Sequence, residues 1–267
     1  MTYIRICALY SGSGGNAVLI ETEKTRILID AGKSARTLCR ALSSVGVDMA
    51  DVDAIFITHE HTDHVSALEV LTKKHRIPIH VTAPSAGRFD GRGCPCLCDC
   101  LVRHEPYYTA EVGDLHIRSF RTPHDARMSV GYRIETESGE AIGYATDVGY
   151  VTQEIADALV GCEAVVLESN HDVEMLKKGP YPYDLKMRIL SRHGHLSNRD
   201  SAALAAHLAV HGTRAFMLAH LSEENNEPSL AQDAYASALG DDTVAVAIAS
   251  ADEPTQLICE KGEWRIC

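Results

Sequence analysis

Short apolar runs of strand length alternate along the chain with longer stretches in which apolar residues recur at helical spacing. The short runs are residues 26–30, 53–58, 115–122, 141–146, 164–167 and 215–219. Each run ends on, or just before, a residue that can bind a metal ion or move a proton. This arrangement is typical of α/β proteins, which hold ligands at the carboxyl ends of their strands.

Helical spacing covers four stretches between these runs, which are residues 34–45, 65–75, 152–159 and 198–211. Ser197 or Asn198 can cap the last of them, because both side chains accept hydrogen bonds from the first turn of a helix. No linker, low-complexity tract or fixed repeat interrupts the pattern. We therefore predict one mixed α/β domain over residues 1–267.

Charge and composition narrow the classes of function. The chain has 25 lysines and arginines against 37 aspartates and glutamates, a formal net charge of −12. A uniformly acidic surface repels polyanions, which argues against strong non-specific binding of nucleic acid. No apolar run has the length of a membrane span, and no signal peptide is recognisable. The nine cysteines, an odd number, favour a reducing compartment, so we expect a cytoplasmic protein.

The strongest chemical signal is Thr58-His59-Glu60-His61-Thr62-Asp63-His64, directly after a predicted buried strand. Three histidines and an aspartate fall within six residues. A loop can direct two of these side chains to one ion and two to another. Imidazole and carboxylate ligands suit Zn²⁺, and also Mn²⁺ or Fe. The alternative, a solvated loop with chance histidines, does not account for so dense a set of ligands.

This heptapeptide resembles the HxHxDH signature of the metallo-β-lactamase fold superfamily. The segments SGSGGN, ATDVGY, ESNHDVEML, GHLSN and AHLSEENN, which begin at residues 11, 145, 168, 194 and 219, together resemble the YycJ/WalJ family of bacterial metallo-hydrolases. The resemblance implies an α/β fold, a four-layer αββα sandwich of two mixed sheets with its metal site along one edge. It also implies metal-dependent exonuclease activity on DNA.

The same resemblance implies a site for two divalent metal ions. Its pattern assigns His59, His61 and His124 to the first ion, and Asp63, His64 and His220 to the second. Asp147 corresponds to the carboxylate that bridges the two ions. We expect Asp30 to hold the histidine loop in place through hydrogen bonds.

Three residues are candidates for catalysis. Asp63 can orient the attacking water or accept its proton. Glu168 and His195 resemble a pair that, in tRNA 3′-processing endonucleases, is thought to relay a proton to the leaving oxygen. The alternative for that pair is a structural glutamate and a histidine at the entry to a helix.

Substrate contacts are predicted at five residues. Ser13 and Asn16 lie in a glycine-rich loop that could receive an anion, and Ser197 and Asn198 begin a predicted helix. His171 is a further candidate for contacting substrate. Residues 177–199 carry six basic residues against one acidic residue, and Tyr181 and Tyr183 lie among them. This basic segment fits either a nucleic-acid-binding surface or a solvated amphipathic segment.

Four cysteines alternate at positions 94, 96, 98 and 100. On a strand all four would face one side. Thiolates spaced in this way do not easily close a tetrahedron around zinc. Buried or idle thiols are therefore favoured over a structural zinc site at Cys94, Cys96, Cys98 and Cys100.

The leading hypothesis is a dimetal hydrolase that uses a metal-activated water to cleave phosphodiesters, acting as an exonuclease on DNA. The alternatives are a hydrolase of a small ester, thioester, lactone or cyclic nucleotide, and a non-catalytic binding or regulatory module. The stretch between Asp147 and His220 is too short for the β-CASP insertion of larger nucleases. We therefore expect an open groove, which a second subunit of a homo-oligomer could complete.

Overall fold

The computed structural model describes residues 3–91, 94–240 and 243–267, over which the chain forms fifteen strands and ten α-helices. The strands are β1 Tyr3–Tyr10, β2 Ala17–Thr22, β3 Arg26–Ile29, β4 Ala54–Phe56, β5 Ile79–Thr82, β6 Leu101–His104, β7 Thr109–Val112, β8 Leu115–Arg121, β9 Val130–Thr136, β10 Ala141–Ala145, β11 Ala164–Glu168, β12 Ala215–Ala219, β13 Ala245–Ile248, β14 Thr255–Glu260 and β15 Glu263–Ile266. The helices are α1 Ala35–Ser44, α2 Thr62–Val65, α3 Leu68–Leu71, α4 Ala83–Ala86, α5 Pro95–Cys100, α6 Gln153–Leu159, α7 Val173–Lys178, α8 Tyr183–Ile189, α9 Asn198–Val210 and α10 Pro228–Leu239.

The strands form two mixed sheets. The first has the order β15-β14-β1-β2-β3-β4-β5-β6, and the second has the order β13-β12-β11-β10-β9-β8-β7. Strands β3 to β6 run parallel to one another, as do strands β10 to β13. The other neighbouring strands pair in antiparallel fashion. The predicted α/β architecture of two mixed sheets is therefore confirmed.

Three apolar cores separate four layers. Successive side chains of a strand point to opposite faces of its sheet, and β1 shows the consequence. Ile4 and Ile6 pack into the core between the two sheets, whereas Cys7 and Leu9 pack into the core under the outer helices of the first sheet. A third core lies between the second sheet and helices that include α6, α9 and α10.

The six predicted strands correspond to β3, β4, β8, β10, β11 and β12, and three predicted helices correspond to α1, α6 and α9. The single helix predicted over residues 65–75 is wrong, because the chain there forms two one-turn helices, α2 and α3. The break has a tertiary cause. The backbone N–H of Ala67 donates to the carbonyl of Ala31 at 2.9 Å, and Ala31 in turn donates to the carbonyl of His64 at 2.8 Å. These bonds tie the segment to the loop after β3.

The strand arrangement considered for the four alternating cysteines is also wrong, because they lie in and beside α5. Pro95 occupies the first turn of this helix, where its fixed φ angle is favourable. Residues two apart on a helix point in different directions, so the four thiols do not all share one face as they would on a strand. All nine cysteines are free, and no cysteine belongs to a possible metal-ligand cluster among the described residues. Over the same residues, no helix is both long and apolar enough to cross a membrane.

Candidate active site

The predicted site residues come together where parallel strands of both sheets end. Asp30 follows β3 and His59 lies three residues after β4, on the first sheet. Asp147 and His220 follow β10 and β12 on the second sheet, and Glu168 is the last residue of β11. The carboxyl ends of parallel strands meet at one edge of a sheet, so this topology gathers side chains that are far apart in sequence.

Three of these residues adopt a left-handed backbone immediately after their strands. Asp30, Asp147 and His220 have φ angles of 63°, 57° and 58°. Such angles are uncommon outside glycine, although Asp and His tolerate them better than most residues, and each costs on the order of 1–3 kcal/mol. The sharp turn lets each side chain leave the strand end directly into the site.

The first predicted ligand set is brought together. His59, His61 and His124 each offer a ring nitrogen, and these atoms lie within 4.8 Å of one another. The Nδ1 atom of His59 lies 3.0 Å from the hydroxyl of Thr58, and its Nε2 atom has no hydrogen-bond partner among the described residues. The Nδ1 atom of His124 lies 3.2 Å from the carbonyl oxygen of Gly194. In both rings Nδ1 has a partner, which leaves Nε2 available to a cation.

The second predicted set is also brought together, because ligand atoms of Asp63, His64 and His220 lie within 4.8 Å of one another. The Nε2 atom of His64 is 3.2 Å from Oδ2 of Asp63, and its Nδ1 atom donates to Oδ2 of Asp30 at 2.7 Å. Oδ1 of Asp30 accepts the backbone N–H of Thr58 at 2.8 Å. The predicted contacts of Asp30 with the histidine loop are therefore confirmed.

Asp147 lies between the two sets. Its Oδ1 atom is 3.6 Å from Nε2 of His124, and its Oδ2 atom is 3.4 Å from Nε2 of His64. Burial alone would raise the pKa of Asp147. The surrounding histidines, His220 and His64 foremost, outweigh burial and hold the pKa well below its usual value. A carboxylate placed in this way can contact cations on both sides.

The donor set fits divalent metal ions. Nε2 of His59, Nε2 of His220 and Oδ2 of Asp147 are buried and have no hydrogen-bond partner among the described residues. A buried polar atom left unpaired costs about 1–3 kcal/mol, and all three residues belong to possible metal-ligand clusters. Imidazole nitrogen and carboxylate oxygen are ligands that zinc, manganese and iron share.

Glu168 and His195 are in direct contact. Glu168 is fully buried, and its Oε1 atom accepts hydrogen bonds from Nδ1 of His195 at 2.8 Å and Nδ1 of His220 at 2.9 Å. Its Oε2 atom accepts the backbone N–H groups of Val148 and Leu196, both at 2.9 Å. Burial would raise the pKa of Glu168, but attraction to His195 and the histidine hydrogen bonds lower it to about 2.

The two members of this pair therefore differ in their access to a substrate. The His195 side chain is 20% exposed and lines a cavity of about 210 Å³, whereas Glu168 does not reach the surface. Glu168 is a fixed acceptor that orients His195. Asp147, Glu168, His195 and His220 also form a further cluster of possible ligands, which the sequence did not predict.

Among the residues predicted to contact substrate, Ser13 is exposed and lines the same cavity as His195. Asn16 is buried and its side chain is bonded to the backbone of Gly12, with Nδ2 also 3.5 Å from Oδ2 of Asp63. Asn16 therefore holds the loop in place next to Asp63. His171 is 1% exposed, and neither of its ring nitrogens has a partner among the described residues.

Ser197 and Asn198 are buried and engaged within the protein. Ser197 caps α9 by accepting the backbone N–H of Asp200, as predicted. The Asn198 side chain bonds to Ser169 at 2.8 Å and to Asn226 at 2.7 Å. The placement of these two residues gives no support to a role in binding substrate.

Three of the six basic residues in 177–199 pair with acids outside the segment. Lys177 and Lys178 pair with Glu174 at 3.1 and 3.5 Å, and Arg188 pairs with Asp125. Asp125 was not predicted as a site residue, yet its Oδ1 atom lies 3.3 Å from Nε2 of His124. Its position next to His124 in the sequence is the only signal that could have indicated it.

Comparisons with known proteins agree with this geometry. The family described as Beta-lactamase superfamily domain matches residues 25–221. Exodeoxyribonuclease WalJ of Streptococcus pneumoniae is 36% identical over 225 residues, which cover 84% of this chain and 83% of that protein. Exodeoxyribonuclease YycJ of Bacillus anthracis is 33% identical over 229 residues, which cover 86% of each. The metallo-β-lactamase fold protein YhfI of Bacillus subtilis has a TM-score of 0.71 at 15% identity, covering 96% of this chain and 100% of that one, and shares the fold.

Proposed function

We propose that this chain, which belongs to the beta-lactamase superfamily, is a dimetal hydrolase that removes nucleotides from the ends of DNA. The observation that carries the proposal is the convergence of two ligand clusters and an oriented histidine on one strand edge, next to a cavity. The two relatives that match along most of the chain, both named exodeoxyribonuclease, support DNA as the substrate.

Seven residues are proposed to hold two divalent cations, which we expect to be zinc, manganese or iron. His59, His61 and His124 hold one, Asp63, His64 and His220 hold the other, and Asp147 contacts both. Cations bound there supply a water nucleophile near neutral pH and neutralise charge on a phosphoryl oxygen.

The protein's own groups move the protons in this proposal. The Asp63 side chain is 26% exposed, so its carboxylate can orient the attacking water and accept a proton from it. Because Nδ1 of His195 donates to Glu168, Nε2 is the nitrogen that faces the cavity. Protonated His195 donates from Nε2 to the leaving oxygen as the phosphorus–oxygen bond breaks. Glu168 positions this ring and does not touch the substrate.

The wider setting of this activity is also proposed. The free state of all nine cysteines supports a cytoplasmic location. Residues 1–267 are proposed to form one domain without a β-CASP insertion, so that DNA binds in an open groove. Completion of that groove by a second subunit stays a prediction.

The test is turnover by the purified protein supplied with Mn²⁺ or Zn²⁺. Its substrates are end-labelled single- and double-stranded DNA, RNA, bis-p-nitrophenyl phosphate and a lactone. We expect mononucleotides from DNA, lost in Asp147→Asn and retained in Arg40→Gln, which lies on α1 away from the site. If the protein hydrolyses the lactone but releases no nucleotides from DNA, the proposed nuclease activity is wrong and the protein is a hydrolase of small substrates.

A further inference from the structure

We infer that a second pocket, lined by Arg121, Arg127 and Arg192, binds a phosphate group of the DNA strand beside the metal-ligand clusters. This inference rests on the proposed function and adds a binding site to it. The pocket has a volume of about 530 Å³, and His124 forms part of its wall. When this pocket holds one phosphate of a DNA strand, an adjacent nucleotide of the same strand lies at His59, His61 and His124.

The three arginines are exposed, and their guanidinium groups are available to an anion. The arginine ion pairs within residues 3–91, 94–240 and 243–267 involve other arginines and none of these three. One carboxylate, that of Glu154, also lines the pocket. Its oxygens accept the backbone N–H of Arg121 at 3.0 Å and the hydroxyl of Tyr107 at 3.3 Å. In a chain of net charge −12, a depression with three unpaired arginines and one acid is a local attraction for phosphate.

The pocket is built by loops that are locked together. The backbone N–H of Gly149 donates to the carbonyl of Pro123 at 2.7 Å. A Cβ atom on Gly149 would lie 2.2 Å from the carbonyl oxygen of Arg192, so only glycine permits this approach. The backbone N–H of Arg127 donates to Oε1 of Glu60 at 2.9 Å, which ties the pocket to the segment that carries His59 and His61.

Arg192 lies over an aromatic ring at the pocket. Its guanidinium lies 4.1 Å from the ring centroid of Tyr150. Stacking on an aromatic face uses the plane of the guanidinium and leaves its edge N–H groups free for two parallel hydrogen bonds to phosphate oxygens. Lysine could not make this pair of interactions, because its ammonium is a point charge without a fork.

Two of the three arginines of this pocket, Arg121 and Arg127, therefore lie outside the segment that the sequence suggests. Among residues 177–199, Lys177, Lys178 and Arg188 are paired with acids, and Nζ of Lys186 donates to a backbone carbonyl at 2.8 Å. Arg192 is the member of that segment that lines the new pocket. The phosphate can be an internal diester or a terminal monophosphate, since the two present similar oxygens.

The test measures binding of fluorescein-labelled DNA to the metal-free protein by anisotropy at several salt concentrations. The variant is Arg121→Gln/Arg127→Gln/Arg192→Gln. The control, Arg40→Gln/Lys177→Gln/Lys178→Gln, removes the same charge elsewhere. We expect affinity to fall at least about tenfold in the variant and to change little in the control. The log–log salt slope is expected to fall by about 0.7–0.9 for each phosphate that the variant no longer neutralises. Millimolar inorganic phosphate is expected to weaken DNA binding by the parent more than by the variant.

Three DNA ligands identify the source of the phosphate, namely a 5′-phosphorylated strand, the same strand with a 5′-hydroxyl, and a closed single-stranded circle. Weaker binding of the circle by the variant than by the parent indicates an internal diester, whereas a loss confined to the phosphorylated end indicates a terminal monophosphate. Equal binding of all three by variant and parent overturns the inference, as does a parent that binds none of them.

Failure of the pocket and failure of the proposed nuclease are distinguishable. Binding is measured without metal, so a parent that binds DNA through the arginines but never cleaves it refutes only the nuclease. A parent that cleaves DNA while the triple variant binds it normally refutes only the pocket. If the triple variant does not fold, as judged by its melting temperature, the exposed Arg121→Gln substitution alone is expected to weaken binding and reduce the salt slope by about 0.7–0.9.

Discussion

Replacing Glu168 with glutamine tests whether one buried carboxylate anchors both His195 and His220. The carboxylate accepts four hydrogen bonds, two from the rings of His195 and His220 and two from the backbone of Val148 and Leu196. A carboxamide has nearly the same shape, but one of its ends is an NH₂ group that cannot accept. If the NH₂ end faces the backbone, the N–H groups of Val148 and Leu196 both meet another donor. If it faces the histidines, both rings must change tautomer so that Nδ1 accepts, and His195 then no longer donates from Nδ1.

The structure gives the size of the effect. Each buried donor left without an acceptor costs about 1–3 kcal/mol, so Glu168→Gln is expected to lose about 2–6 kcal/mol of unfolding free energy. That is a large share of the roughly 5–15 kcal/mol that stabilises most proteins. At about 2–4 °C per kcal/mol for a chain of this size, the melting temperature falls by roughly 4–24 °C.

The assay is thermal and urea unfolding of the metal-free variant, with His195→Gln as the matched control. Because the His195 side chain is 20% exposed and supplies only one of the four donors, its replacement is expected to cost less than about 2 kcal/mol. Both variants are expected to lose DNA cleavage. A Glu168→Gln protein that melts within about 2 °C of the parent would show that the carboxylate is not an anchor.

Three further outcomes follow from the structure. Zinc or manganese at about a hundred times its dissociation constant is expected to stabilise the protein by about 2.7 kcal/mol, and a melting temperature that does not respond to chelator would contradict the two-ion site. Gly32→Ala is expected to abolish that stabilisation, because its Cβ would lie 1.9 Å from the carbonyl oxygen of Asp63, whereas Gly14→Ala, with no atom within 4 Å, is expected to retain it. Burial and the neighbouring His104 lower the pKa of His80 to about 4, so between about pH 4 and 6.5 His80 is neutral in the folded protein and protonated in the unfolded chain. The contribution of His80 to the free energy of unfolding is therefore fully present above about pH 6.5 and is lost as the pH falls towards 4. His80→Asn is expected to make the free energy of unfolding depend less on pH over this range, as measured by a pH series of urea unfolding. An unchanged slope would contradict this cause.

The part of the site formed by residues 59–64 could be predicted from the local sequence alone. Residues 59–64 form one short stretch, the loop after β4 and the first residues of α2, and the strand before them is buried, so their proximity needs no tertiary information. Asp147 and His220 follow apolar runs that had to be strands, and parallel strands bring their carboxyl ends together. The family resemblance supplied the grouping, and the structure places the possible ligand atoms of each group within 4.8 Å of one another.

The electrostatics of the surface could not be predicted in the same way. Residues 177–199 have a strongly positive net charge in the sequence because the acids that pair with some of their basic residues lie outside the segment. Arg188, for example, pairs with Asp125, which is 63 residues away in the sequence. Asn198 looks available at the start of a helix, yet a tertiary contact with Asn226 engages its side chain. The cysteine alternation has the period of a strand, but Pro95 and the tertiary context favour a helix.

The unfavourable features of the site are concentrated where cations are proposed to bind. Asp30, Asp147 and His220 have left-handed backbones, and Asp147 and His220 also carry buried atoms without partners among the described residues. Each feature lowers the stability of the metal-free chain by on the order of 1–3 kcal/mol. Together they direct side-chain nitrogen and oxygen atoms from strands of both sheets to one place. Cations bound there as proposed would bind the folded state and not the unfolded chain, so metal binding would offset the strain and couple the assembly of the site to the stability of the fold.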